Sequence, residues 1–245
     1  MKNRLTIALM SLFLSAISQK QVLSATVSNG SFESGLTSWT VIDIPNPDQP
    51  LAVRASGDIN SNFDGILGTN VVIPSDGSFA VSHGFDGDGP GFIRLFQDIG
   101  TPQAGESIQF DYRAGWELLS FGAATQDRTF SLQIEPGGGG ASLASYNIFT
   151  AVAGTTSGLG SNTDTGSLTS TIDLTPFAGS SIRAAFVWDI PESFTGPANF
   201  QLDNVRIVSG SVPTAVPEPF TIIGTLIGGT AALRMRKRLK STGKE

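Results

Sequence analysis

Between residues 26 and 210, apolar side chains recur at every second position in short bursts. Gly, Pro, Asn and Asp end each burst. Ile108-Gln109-Phe110-Asp111-Tyr112 and Phe130-Ser131-Leu132-Gln133-Ile134 show the pattern most clearly. Side chains alternate faces along a strand, so a period of two sends one face into a core. No window in this stretch sustains a helical period over three turns. The pattern predicts strands over residues 38–44, 51–55, 78–82, 92–99, 107–114, 128–135, 142–150, 167–174, 182–188 and 200–208. Short strands spaced roughly 8–12 residues apart predict an all-β domain, a β-sandwich of jelly-roll type. Residues 136–140 and 153–166 are too rich in glycine or polar groups to pack and read as loops. No repeat of solenoid or propeller period is present.

The two ends of the chain follow different rules. Lys2 and Arg4 precede an apolar run over residues 5–17, and a polar segment with small residues follows. That is the plan of a secretory signal, with cleavage expected after Ala25 and residues 1–25 removed. Ala16-Ile17-Ser18 fits the small-x-small rule better but leaves an apolar stub. The other reading is an N-terminal anchor, for which the run is short. At the far end, residues 211–219 form a linker closing on Val216-Pro217-Glu218-Pro219. Residues 220–233 carry no charge, and at about 1.5 Å per residue a helix there spans roughly 21 Å. The basic tail of residues 234–245 begins with Arg234, Arg236, Lys237, Arg238 and Lys240, which the positive-inside rule keeps in the cytoplasm. A buried core helix would match the length of the run but needs neither the Pro-x-Pro stop nor the basic end.

Pro-Glu-Pro, a hydrophobic stretch and an Arg/Lys cluster in that order resemble the PEP-CTERM sorting signal of Gram-negative bacteria. The likeness covers about residues 216–240. It implies an exosortase-type enzyme as processing partner and transient inner-membrane anchoring. It further implies delivery to the outer surface or to an extracellular polysaccharide matrix.

Charge separates the same segments. Residues 26–210 hold 19 Asp and Glu against six Arg and no Lys. A body this acidic does not bind nucleic acid or acidic lipid by neutralising phosphates. It suits divalent cations or neutral sugars. There are no cysteines, so neither disulfides nor thiolate metal sites contribute.

Two further segments sit near the body's ends: Asn29-Gly30-Ser31-Phe32-Glu33, followed by Trp39, and Phe200-Gln201-Leu202-Asp203-Asn204-Val205. Together they resemble the galactose-binding-like jelly roll of many carbohydrate-binding modules. The resemblance implies that the first and last strands lie side by side, with Glu33 facing Asp203. It also implies a structural calcium there, completed by backbone carbonyls such as those of Asn29 and Gly30. Equally open is that the two carboxylates hydrogen-bond turn amides.

Asp86-Gly87-Asp88-Gly89-Pro90-Gly91 begins as an EF-hand loop does. It lacks the acidic fifth position and the flanking helices, so it reads as a tight acidic turn. His83 is the only histidine and has no nucleophile elbow beside it, so catalysis has little support. The 19 acidic residues single out no glycosidase pair. For sugar stacking, Trp39 and Trp188 sit in apolar strand patterns and read as core. Trp116, after Gly115 at a strand end, is the candidate platform. The sequence therefore predicts an exported, non-catalytic binding or matrix protein associated with polysaccharide. The alternative is a structural or adhesion protein without a glycan site.

Overall fold

The computed structural model describes residues 24–59, 71–119, 124–157 and 164–210. The expected signal segment before residue 24 lies outside the described residues, as does the Pro-Glu-Pro tail. Among the described residues no helix is long and apolar enough to cross a membrane.

Ten strands run through the described residues: β1 (Thr40–Ile42), β2 (Ala52–Ala55), β3 (Phe79–Gly84), β4 (Gly91–Gly100), β5 (Glu106–Trp116), β6 (Arg128–Pro136), β7 (Ala144–Ala151), β8 (Leu168–Asp173), β9 (Ile182–Ile190) and β10 (Ala198–Ser209). They match the ten expected strands one for one. The only helical piece described is a single 3-10 turn, Thr175–Phe177.

Two five-stranded sheets form, in the orders β1-β4-β9-β6-β7 and β2-β3-β10-β5-β8. The chain changes sheet at most connections, which is the jelly-roll way of closing a sandwich. The core follows from the alternation. Ile93, Leu95 and Ile99 of β4 point inward, as do Ile108, Phe110 and Tyr112 of β5, Phe130, Leu132 and Ile134 of β6, and Phe186 and Trp188 of β9. The intervening residues of β4, namely Phe92, Arg94, Phe96 and Asp98, face outward.

His83, just past the expected strand 78–82, lies in β3 and is fully buried. Its ring is 5.6 Å from Phe200 and 4.5 Å from Trp188. Burial pulls its imidazole down to about 3, so the ring is neutral at ordinary pH. Trp39 and Trp188 are core residues, as expected.

Candidate functional site

The two segments that frame the domain meet directly. Val205 N–H donates to the Gly30 carbonyl at 2.9 Å. A Cβ on Gly30 would stand 1.8 Å from the Val205 carbonyl oxygen, so only glycine allows the approach. Asn29 adopts φ 53°, and its amide donates to the carbonyls of Gly35 (2.8 Å) and Thr37 (3.1 Å). This holds the turn that delivers Trp39, whose indole N–H donates to the Asn29 carbonyl at 3.0 Å. The carbonyls of Asn29 and Gly30 are therefore engaged within the fold.

Glu33 and Asp203 converge on one turn. Glu33 Oε1 accepts the amides of Ser78 (2.7 Å) and Phe79 (2.9 Å). Asp203 Oδ2 accepts those of Ser75 (2.7 Å) and Asp76 (2.8 Å), and its Oδ1 accepts Asn204 N–H at 2.7 Å. Between them Gly77 sits at φ 70°, where a Cβ would lie 2.3 Å from Glu33 Oε1. Burial pushes the Asp203 carboxyl up to about 6, against the opposite pull of these amides. Among the described residues no three acidic or histidine side chains gather closely enough to hold a metal. The clamp fixes the turn entering β3. Asp203→Ala leaves the Ser75 and Asp76 amides without their acceptor and is expected to cost about 3 kcal/mol. Thermal melts should then show a midpoint lower by roughly 6–12 °C.

Trp116 ends β5 half-buried. It stacks on Phe149 at 5.7 Å with 12° between the rings, and its indole N–H donates to Thr155 Oγ1 at 3.2 Å. Asp86 of the acidic turn is buried against Arg128, and Asp88 accepts from Ser193 and Asn46.

A site the sequence reading missed lies on the outer side of the first sheet. There the segment before Gly30, the entry to β1, and strands β4 and β9 enclose a groove of about 370 Å³. Its walls are Thr26, Ser28, Ser38 and Thr40, and its floor includes Phe96, Asp98 and Arg183. This is within the usual size of ligand sites, roughly 300–1,000 Å³. Gln97, buried beneath, ties the walls together. Its amide donates to the carbonyls of Ser28 (2.9 Å) and Ser38 (3.0 Å), and its oxygen accepts Ser28 N–H at 2.7 Å.

The β4–β9 register brings Arg183 beside Asp98, where its Nε donates at 2.8 Å. That bond holds Asp98 below the usual carboxylate range. The Arg183 guanidinium also lies 4.5 Å from the centre of the Phe96 ring. The result is four hydroxyls, one aromatic ring and a charge pair that cancels itself. The signal was present in β4, whose outward phase carries two phenylalanines among charges. A second cleft, against the other sheet near Asp111, Arg113 and Gln201, measures about 10 Å³, room for at most one water.

No protein-family model matches the chain, and no curated protein matches its sequence. Solved structures do resemble it. TmCBM61, solved with β-1,4-galactotriose, has 15% identity and a TM-score of 0.46, covering 77% of this chain and all of its own. The K3 cleaved adhesin domain of Lys-gingipain from Porphyromonas gingivalis W83 has 16% identity and a TM-score of 0.44, covering 76% of this chain and 100% of the domain. A carbohydrate-binding module specific for non-crystalline cellulose, CBM28, has 16% identity and a TM-score of 0.43, covering 75% and 94%.

Proposed function

We propose that this chain is an exported, non-catalytic polysaccharide-binding protein of the bacterial surface or its matrix. In this reading it takes neutral sugar chains in the groove over Phe96. The observation that carries the proposal is the groove's chemistry. The Phe96 ring, with the guanidinium of Arg183 over it, and the surrounding hydroxyls fit a pyranose, which offers apolar C–H groups and a polar rim. The Asp98–Arg183 pair offers fixed donors and acceptors with no net charge to select a uronate or a phosphate.

Export and anchoring belong to the same proposal. The segment of residues 1–25 directs secretion. An exosortase-type enzyme acts at Val216-Pro217-Glu218-Pro219, while residues 220–233 and the basic cluster hold the chain transiently in the inner membrane. Mass spectrometry of the mature C-terminus tests this. An intact basic tail on the surface protein would contradict it. Calcium at Glu33 and Asp203 also stands as a proposal. A chelator-reversible rise in melting temperature with calcium supports it, and no change leaves the amides as the whole clamp.

Affinity electrophoresis against neutral polysaccharides tests the groove. Phe96→Ala is expected to weaken retention tenfold or more, about 1.4 kcal/mol. The ring lies on the outer face, so the melting temperature should stay within a few degrees of wild type. Unchanged retention in both Phe96→Ala and Arg183→Ala would remove the groove from the proposal. Failure of the unaltered protein to be retained by any polysaccharide, together with self-association in sedimentation, would favour the structural reading instead.

A further inference from the structure

Taking export as proposed above, we infer that the leader is cut between Ser24 and Ala25, one residue before the position expected from sequence. The new terminal ammonium of Ala25 then becomes the partner of the buried carboxylate of Glu106. Ala25 is only 3% exposed, so its methyl group belongs to the core. The following residue is already in the fold, since Thr26 N–H donates to the Ile99 carbonyl at 2.8 Å. A cut after Ala25 would remove a buried residue directly preceding the groove wall at Thr26.

Glu106 supplies the second observation. It is 5% exposed, and its acceptor bonds are to neutral donors: the Ser24 hydroxyl on Oε1, and Gln103 N–H on Oε2 at 2.8 Å. Of the other buried carboxylates, Asp86 has Arg128, Glu135 has Arg94, and Asp203 accepts three backbone amides. The body has no lysine. Its arginines are committed elsewhere: Arg113 and Arg183 to Asp164 and Asp98, Arg54 to Gln49, and Arg206 to Gln109. A buried carboxylate without a counter-charge is costly. The cation still available is the one that processing creates, one residue from the group that now touches Glu106.

In the hydrolysis, the Ser24–Ala25 C–N bond breaks and water supplies OH to the Ser24 carbonyl carbon and H to the Ala25 nitrogen. With an α-amino pKa of roughly 7.7–8.0, that nitrogen takes a further proton at neutral pH. The flanks agree. The small residue required next to the bond is Ser24, and Val22 stands two before it, whereas a cut after Ala25 puts the bulkier Leu23 there.

The test uses the full chain in a Gram-negative host, with intact mass and N-terminal sequencing of the exported protein, alongside Ser24→Leu. Wild type is expected to begin at Ala25. Ser24→Leu is expected to accumulate as precursor, with at least a tenfold loss of processing, because it puts a bulky residue next to the bond. A mature chain beginning at Thr26 or Gln19, or normal processing of Ser24→Leu, overturns the assignment while leaving export intact. Retention of Met1 in the wild-type chain would instead defeat the export reading itself, and this assignment with it.

Discussion

Arg128→Ala should cost the domain about 3–5 kcal/mol, the usual penalty for removing one partner of a buried ion pair. The melting midpoint should fall by roughly 10 °C or more. Arg128 begins β6 and is fully buried. Its Nη1 donates to the carbonyls of Phe85 (2.8 Å) and Gly196 (2.9 Å). Its Nη2 donates to Asp86 Oδ1 (3.1 Å) and Thr195 Oγ1 (3.0 Å). One guanidinium thus satisfies carbonyls of the turn after β3 and of the loop before β10, tying the two segments together.

The pair is not a stabiliser in isolation. Burial pushes the Asp86 carboxyl up to about 6 even with Arg128 beside it. Urea melts of Arg128→Met, Asp86→Asn and the double variant check the reading. The double variant should lose less than the sum of the singles by about 1 kcal/mol or more, because neither charge is then left alone. Strict additivity would mean that the two groups act separately.

The expected strands agree with the observed ones because alternation is a local property, written into each segment. β1 is the instructive exception. Residues 38–44 read as one strand, yet only Thr40–Ile42 pair with β4. Ser38 sits at φ 72°, and the Asp43 side chain captures the Ile44 and Leu51 amides, so turn chemistry trims both ends. Sheet order was beyond the pattern. Nothing near Arg183 in sequence says that β9 lies against β4, so its meeting with Asp98 across 85 residues is a product of pairing alone.

The same limit hid the groove. Its lining comes from four separate segments, and only the outward Phe96 could have been picked out of β4. Trp116 drew notice as the aromatic at a strand end, but Phe149 occupies one of its faces. His83 falls just past the expected strand, between Ser82 and Gly84. A neutral imidazole fits its place only once the surrounding rings are known. Glu33 and Asp203 were legible as a pair because the segments that carry them mark the domain's two edges.

Those rings set the other large effect. Phe200→Ala is expected to cost about 3–5 kcal/mol. Phe200 stands on the inner face of β10, and across the sandwich its ring centre is 4.5 Å from Phe130 and 5.0 Å from Trp188. It also stacks on Tyr112 at 6.0 Å and on Phe149 at 5.9 Å. Removing it opens the joint between the sheets instead of thinning one side, and rigid strands on both faces collapse poorly into the space. Phe200→Leu retains much of the volume and should cost under about 1.5 kcal/mol if the neighbours repack. Urea denaturation followed by tryptophan fluorescence reads both, since Trp188 lies beside the change. A loss below about 1 kcal/mol for Phe200→Ala would show that the sheets are held elsewhere. Phe96→Ala, with its ring on the outside of the same sandwich, should leave stability nearly unmoved and report only on the groove.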